Sequence, residues 1–193
     1  VVVTGEGADE MLAGYDIFRE AAVRRFAAEH PESPGTEALL RGLYPWMERS
    51  PATTPAFARS FFSQGVQGAD LSDPAFSHRP RWRSSAALLR LLRPQFGAPS
   101  GEDVAADFAA ELPDAFRRWH PLEQAQYLEA HTLLPGYILA PQGDRMLLGH
   151  SVEGRFPFLD HRLIELATSL PPEQKLNGLE EKHILKVAFS DMV

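Results

Sequence analysis

The order of hydrophobic and polar residues predicts one short strand followed by a long amphipathic helix. Residues 1–3 are valines followed by a Thr-Gly pair, which is typical of a strand buried on both faces of a parallel sheet. From Ala8 to Phe26 apolar residues recur at steps of three and four, with charged residues such as Arg19 between them. This pattern predicts a helix of about 20 residues, which the Pro- and Gly-bearing segment 31–35 ends.

The remainder of the chain predicts further helices separated by loops. They cover residues 37–47, 55–62, 86–92, 104–108, 123–134, a short segment after Asp144, residues 161–170 and a last segment from residue 180. Asp144 and Asp160 are placed to cap the helices that follow them, because a carboxylate at this position accepts hydrogen bonds from first-turn amides. The expected fold is mostly α, with about eight helices and one N-terminal strand. Because buried backbone groups are almost always paired, that strand must pair outside this sequence or not be a strand.

Composition and charge narrow the classes of partner. The 193 residues include 19 basic and 26 acidic side chains, and the net charge of −7 argues against a nucleic-acid or anionic-membrane surface. The sequence has no run of roughly 20 apolar residues that would cross a bilayer. The absence of cysteine excludes disulfides and thiolate metal sites and favours a reducing compartment, the cytoplasm. We therefore expect neither a nucleic-acid nor a membrane partner.

Residues 5–10, Gly-Glu-Gly-Ala-Asp-Glu, form an acidic loop between the predicted strand and helix. In open α/β sheets, ligands bind beyond the carboxyl ends of parallel strands. Free helix amides there favour phosphate, and carboxylates such as Glu6 and Asp9 can hold the Mg²⁺ that accompanies phosphate. Gly5 and Gly7 would let the backbone turn sharply and approach a ligand closely. The alternative is structural, because acidic residues in a first helical turn also complement the macrodipole.

Three segments resemble those of a known family, the asparagine synthetases. Residues 4–10 and the Gly-Tyr pair at 14–15 resemble the Ser-Gly-Glu-Gly-x-Asp-Glu segment of that family and its trailing Gly-Gly-Tyr. Residues 143–146 and 153–160 resemble its Asp-Arg-Met and Glu-x-Arg-x-Pro-Phe-Leu-Asp segments. Residues 181–186 resemble its Glu-Lys-x-Ile-Leu-Arg segment. The three matches follow the family's order along the chain.

The resemblance implies an amide-forming ligase that uses ATP and Mg²⁺. Family members adenylate the side-chain carboxylate of aspartate with release of pyrophosphate, and ammonia from glutamine then attacks to give asparagine and AMP. Carried onto this sequence, Asp9 holds Mg²⁺, Glu6 accepts a proton when ammonia adds, and Lys182 stabilises charge on the phosphates. Gly5 and Gly7 complete the nucleotide-binding loop. Without the resemblance, Lys182 would be interpreted as a solvated surface lysine.

A second group of polar residues is expected to contact substrate or to support the residues that do: Glu10, Asp144, Arg145, Glu153 and Arg155. From the residues alone, Glu153, Arg155 and Asp160 are expected to form a partly buried ion-pair network among aromatic residues and proline. Such a network either holds the loop or touches substrate, and the first interpretation is favoured. The histidines lack metal-ligand spacing and are expected to be core or surface residues.

The resemblance also implies that residues 1–193 are part of an α/β parent domain with a parallel sheet, of the adenine nucleotide alpha-hydrolase type. The family's upstream ATP-pyrophosphatase loop, Ser-Gly-Gly-x-Asp-Ser, and its N-terminal glutaminase domain are absent from the sequence. We therefore expect this fragment alone to be inactive. The implied partners are aspartate, ammonia and the missing glutaminase domain, and a homodimer stays open.

Two rival hypotheses remain. A related ligase, such as a β-lactam synthetase or a peptide cyclase, would share the acidic loop and the lysine but differ in its acceptor pocket. Residues 135–137 are Pro-Gly-Tyr where many asparagine synthetases have Pro-Asp-Tyr, which leaves the acceptor open. An inactive helical interaction module would use the acidic loop only to cap a helix.

Overall fold

The computed structural model describes residues 1–43, 71–92 and 101–192, and helices dominate them, as predicted. The α-helices are α1 (Ala8–Met11), α2 (Asp16–Glu29), α3 (Gly35–Leu43), α4 (Arg79–Leu88), α5 (Gly101–Ala110), α6 (Pro121–His131), α7 (Arg145–Gly149), α8 (His161–Ser169), α9 (Pro172–Lys175) and α10 (His183–Ala188). A π-helix spans Leu134–Asp144, and 3-10 helices span Leu89–Leu91, Phe116–Arg118 and Pro157–Leu159. The strands are β1 (Val2–Val3), β2 (Gly154–Arg155), β3 (Leu176–Asn177) and β4 (Glu180–Glu181). In the described part of the chain, no helix is long and apolar enough to span a bilayer.

Strand β1 pairs within the chain, so both alternatives predicted for it, a partner outside the sequence or no strand at all, are wrong. It runs parallel to β2, with Val2 opposite Gly154 and Val3 opposite Arg155. The Thr4 amide extends this pairing by donating to the Arg155 carbonyl at 3.0 Å. Val3 is 68% exposed, so the predicted burial on both faces is not seen in the described residues. Strand β2 was not predicted, because a two-residue strand inside a loop is too short to show an alternating hydrophobic pattern.

The single helix predicted from Ala8 onward is two helices, α1 and α2. Ala13 lies between them with φ 57°, a left-handed conformation that a continuous helix does not allow. The Gly14 amide donates to the Asp9 carbonyl at 2.8 Å and closes the turn. The apolar period continues through the break because residues on both sides of it are buried, among them Leu12 and Ile17.

Two compact units make up the described chain, Val1–Arg19 with His120–Val193 and Glu20–Trp119. The core of the first unit consists of Ala13, Ile17, Phe18, Leu122 and Ala125, with Tyr15 and Leu176 packed against it. Gln126 on α6 donates its side-chain amide to the carbonyls of Glu10 and Met11, at 2.7 and 2.8 Å. These bonds fix the end of α1 on the core.

The second unit contains α3, α4 and α5 and most of α2. Arg24 is buried and donates to the Phe76 carbonyl at 3.0 Å, and Arg81 on α4 pairs with Glu20 at 2.7 Å. The predicted helix 86–92 in fact begins at Arg79, and its last residues continue as a 3-10 turn. The predicted helix 55–62 lies outside the described residues.

Of the two predicted helix caps, one is confirmed and the other is wrong. The Asp160 carboxylate accepts a hydrogen bond from the Arg162 amide at 3.0 Å at the start of α8, as predicted. Asp144 makes no capping hydrogen bond, because the π-helix runs directly into α7 and leaves its backbone helical. The last predicted helix begins later, at His183, since residues 176–181 form the β3–β4 hairpin instead.

Candidate functional site

The acidic loop leaves β1 and enters α1 through Gly7, whose φ of 92° favours glycine. A Cβ on Gly7 would also overlap the Leu159 side chain, so the close approach there is to the 3-10 helix that follows β2. A Cβ on Gly5 would meet nothing within 4 Å. Of the two predicted loop glycines, only Gly7 is required by backbone conformation and by space.

Asp9 and Lys182 meet in an ion pair, although 173 positions separate them in the sequence. The Lys182 Nζ lies 2.7 Å from the Asp9 Oδ1, and each side chain is 31% exposed. Asp9 is supplied by α1, and Lys182 directly follows β4. The structure therefore places a carboxylate and an ammonium together at a half-open surface.

Gly14 lies against this ion pair. A Cβ built on Gly14 would overlap the Asp9 Oδ1 and the Lys182 Cε, and it would lie 2.9 Å from the Asp9 Cγ. Gly14 belongs to the Gly-Tyr pair that trails the acidic loop in the sequence. Its function as a space for the two charged side chains was not predicted, because the resemblance assigns Asp9 and Lys182 to the same phosphates without indicating which residue packs against them.

Lys182 is held in an uncommon backbone conformation, with φ 50° and ψ 33°. Non-glycine residues in this region are strained, and they persist where surrounding contacts fix them. The preceding strand β4 pairs with β3, with Glu181 opposite Leu176. The following residue, His183, contacts Glu180 at 2.5 Å through its Nδ1. Both flanks of Lys182 are thus tied to the hairpin.

Glu181, the neighbour of Lys182, joins a second group of charges. Its carboxylate lies 3.5 Å from the Arg19 guanidinium and 3.5 Å from the Lys186 ammonium. Burial pushes the pKa of Glu181 upward, but its own backbone amide, Arg19 and Lys186 together hold that pKa below the usual value. Arg19 also pairs with Asp16 within α2. Arg19 lies outside the three recognised segments, and its only sequence signal was a charge on the expected polar face.

Glu6 and Glu10 occupy different environments. Glu6 is partly buried, and its Oε2 has no hydrogen-bond partner among the described residues. Glu10 is 1% exposed, and its Oε1 accepts a hydrogen bond from the Tyr15 hydroxyl at 3.0 Å. Burial raises the pKa of the Glu10 carboxyl, despite hydrogen bonds that favour the charged form. Each carboxylate has one unsatisfied oxygen, Oε2, but Glu10 is built into the interior whereas Glu6 is only partly buried.

The predicted network around residues 153–160 is two separate ion pairs. Glu153 pairs with Arg155, and their side chains are 55% and 67% exposed. Asp160 pairs instead with Arg162, whose Nε lies 3.0 Å from its Oδ1. The expected partial burial is wrong for Glu153 and Arg155, which are exposed, whereas Asp160 is partly buried. Among the other predicted residues, Asp144 and Arg145 are also exposed.

The family model described as asparagine synthase matches residues 1–193. The chain belongs to the asparagine synthase family. No solved structure matches it.

Relatives in this family include both amidases and asparagine synthetases. The chain is 31% identical over 210 residues to amidase chyE of Penicillium rubens and 29% identical over 212 residues to amidase chry2 of Gibberella zeae. It is 29% identical over 209 residues to a putative glutamine-hydrolysing asparagine synthetase of Mycobacterium tuberculosis. Each match covers 100% of this chain but only 30%, 30% and 27% of the relative. The chain thus spans less than a third of the length of these relatives.

The donor set of the site suits a divalent cation that is shared with phosphates. Asp9 offers a partly exposed carboxylate, and the unsatisfied Glu6 Oε2 lies three residues earlier in the same loop. In residues 1–43, 71–92 and 101–192, no group of three or more His, Cys, Asp or Glu side chains is arranged to hold a metal ion. Mg²⁺ usually keeps several waters and takes one or two carboxylates plus phosphate oxygens. The site therefore fits Mg²⁺ only if phosphate oxygens and water complete the coordination.

Proposed function

We propose that the protein containing this chain is an ATP-dependent, amide-forming ligase of the asparagine synthase family. The observation that supports the proposal most directly is the ion pair between Asp9 and Lys182, which joins two of the three family-like segments in one place. A lysine ammonium that can bind anions, beside a carboxylate that can hold a metal ion, suits the transfer of an adenylyl group from ATP to a carboxylate. Family membership supports the same reaction class.

In the proposed reaction, a carboxylate oxygen of the substrate attacks the α-phosphorus of ATP, and pyrophosphate leaves. The Lys182 ammonium neutralises charge that develops on the phosphate oxygens and on the leaving group. Asp9 would hold the Mg²⁺ ion, which would neutralise charge on the phosphates, and Gly5 and Gly7 would shape the loop around the nucleotide. Glu6, a partly buried loop carboxylate with an unsatisfied oxygen, accepts a proton when ammonia attacks the acyl-adenylate carbonyl and AMP departs.

We propose aspartate as the carboxylate substrate, with ammonia supplied from glutamine by a glutaminase domain elsewhere in the protein. The relatives named as glutamine-hydrolysing asparagine synthetases support both assignments. A second candidate is a different carboxylate substrate. It is favoured by the two relatives named as amidases, which match over the whole chain at 31% and 29% identity.

The test is magnesium-dependent release of pyrophosphate by the full-length protein, with aspartate compared against other carboxylates. Replacing Lys182 by Ala should lower this release by about 10²- to 10³-fold, because a preorganised charge at the reacting phosphate is lost. Arg162→Ala is the matched control, since it removes a cation that is 79% exposed and pairs with Asp160. Normal release by the Lys182 variant would exclude the assigned role. An inactive interaction module would show no magnesium-dependent nucleotide binding.

A further inference from the structure

We propose that Arg19, acting through Glu181, positions the Lys182 ammonium beside Asp9. Arg19 would be a positioning residue of the proposed phosphate site, so this inference rests on the proposed function. It adds a residue that lies outside all three family-like segments.

The first step of the argument is the burial of Arg19. Its side chain is 11% exposed, and it contacts the carboxylates of Asp16 and Glu181. Removing one partner of a buried charge is costly, because the remaining charge stays desolvated. The guanidinium is therefore a stable anchor for the Glu181 carboxylate, whose Oε2 lies 3.5 Å from the Arg19 Nη1.

The second step is the link from Glu181 to Lys182. The two residues are adjacent, so the position of Glu181 fixes where the Lys182 backbone begins. Lys182 then adopts φ 50°, which a lysine does not favour by itself. The pairing of Glu181 with Leu176 in the hairpin supplies one restraint, and the Arg19 contact supplies a second from outside the hairpin.

The third step is the short distance in sequence between Asp9 and Arg19, which limits how far the two residues can move apart. Arg19 lies in the first turns of α2, directly after the turn in which the Gly14 amide donates to the Asp9 carbonyl. Both members of the Asp9–Lys182 pair are therefore positioned relative to the same few residues. Loss of the Arg19 contact would release Lys182 while leaving Asp9 in place.

A simpler role for Arg19 would be to stabilise the first unit without any influence on Lys182. The two roles predict different coupling between variants. If Arg19 acts through Lys182, then Arg19→Met should have little further effect on pyrophosphate release once Lys182 is already Ala. If Arg19 acts only on stability, its effect should persist in that background.

The experiment uses the full-length protein with Arg19→Met, Glu181→Gln and the control Arg25→Met. Arg25 lies on the same helix, pairs with Glu29 at 4.0 Å and donates to the Leu71 carbonyl, so it matches the loss of an α2 arginine. Glu181→Gln keeps the hairpin and removes the charge that pairs with Arg19. It therefore tests the same contact if Arg19→Met does not fold. We expect both test variants to lower kcat for pyrophosphate release by about 10- to 100-fold, as a misplacement near 1 Å can. Arg25→Met should change kcat by less than about 3-fold.

A second readout does not depend on activity. Acetylation of Lys182 by an amine-reactive ester, followed by mass spectrometry, should be several-fold faster in Arg19→Met and Glu181→Gln than in Arg25→Met, because Lys182 leaves Asp9. Equal acetylation rates would overturn the proposal whatever the activity. If Lys182→Ala retains full activity while Lys182 acetylation still responds to Arg19, the proposed function fails but the positioning stands. If Lys182→Ala is inactive and the Arg19 variant matches the Arg25 control in both readouts, the positioning fails alone.

Discussion

At the scale of single residues, Gly14 determines the geometry of the site most directly. Its missing Cβ leaves the space in which the Asp9 carboxylate and the Lys182 side chain meet. Because Gly14 does not have a positive φ, alanine is acceptable to the backbone and the conflict is one of space alone. The same close approach is available to no other amino acid, since every other residue carries a Cβ.

We therefore predict that Gly14→Ala in the full-length protein separates Asp9 from Lys182 and lowers pyrophosphate release by about 10²-fold, the effect of a small misplacement at a reacting centre. Gly149→Ala is the matched control, because a Cβ there would meet nothing within 4 Å. Steady-state kinetics of both variants, with thermal melting to confirm folding, provide the comparison. Equal activity of the two variants would mean that the pair is not needed in this arrangement.

Three charged residues of α2 show where the amphipathic pattern gives a wrong prediction. Arg19, Glu20 and Arg24 fall on the expected polar face, yet they are only 9%, 7% and 5% exposed. Each is buried with a partner that is distant in the sequence, for example Glu181 for Arg19. A hydrophobic period detects apolar burial and cannot detect a charge that is buried in a pair.

At the scale of elements, the N-terminus of α8 offers a direct electrostatic test. Hydrogen bonds from the side chain and backbone of Arg162 lower the pKa of Asp160 to about 2, below its usual value of 3.8. A carboxylate whose pKa is depressed in the folded state stabilises the fold above its unfolded pKa. That stabilisation is lost as the pH falls through the folded pKa.

We predict that Asp160→Ala lowers the melting temperature at neutral pH and that this difference from the wild type shrinks as the pH falls from about 4 toward 2. Asp160→Asn should recover only part of the stability lost in Asp160→Ala at neutral pH, because asparagine caps the helix but lacks the charge that pairs with Arg162. Melting curves across this pH range supply the measurement. A difference that stays constant down to pH 2 would show that the cap does not depend on the charge.

Elements also show which parts of the fold are readable from sequence. The long helices α2, α6 and α8 and the Asp160 cap were predicted because local periodicity and capping chemistry determine them. The break at Ala13, the strand β2 and the β3–β4 hairpin were not predicted. Each depends on tertiary contacts, such as the pairing of Val2 with Gly154, that no local pattern encodes.

At the scale of the whole molecule, the candidate site was predictable as a list of residues but not as an arrangement. Resemblance to a family picked out Asp9 and Lys182, and the fold brings them within 2.7 Å of one another. It did not separate the interior Glu10 from the half-open Asp9, nor did it find Arg19. Burial and pairing are properties of the folded chain. A sequence motif therefore does not identify a residue that acts on the site through a neighbouring side chain.

The exposure of β1 leads to a prediction about the protein beyond this chain. Parallel strands are normally covered on both faces, yet Val2 and Val3 are 42% and 68% exposed here. The chain also covers about 30% of the length of its amidase relatives. We expect other parts of the protein to cover these valines and to complete the nucleotide site.

Residues 1–193 expressed alone should therefore neither bind ATP well nor release pyrophosphate, whereas the full-length protein should do both. Amide hydrogen exchange along β1 should be slower in the full-length protein, because covered strands open less often. Mass spectrometry of peptides containing Val2 and Val3 gives that rate, and a peptide from α6, which is packed in the core of its own unit, gives the internal reference. Equal exchange of β1 in both proteins, together with robust pyrophosphate release by residues 1–193, would show that this chain holds a complete site.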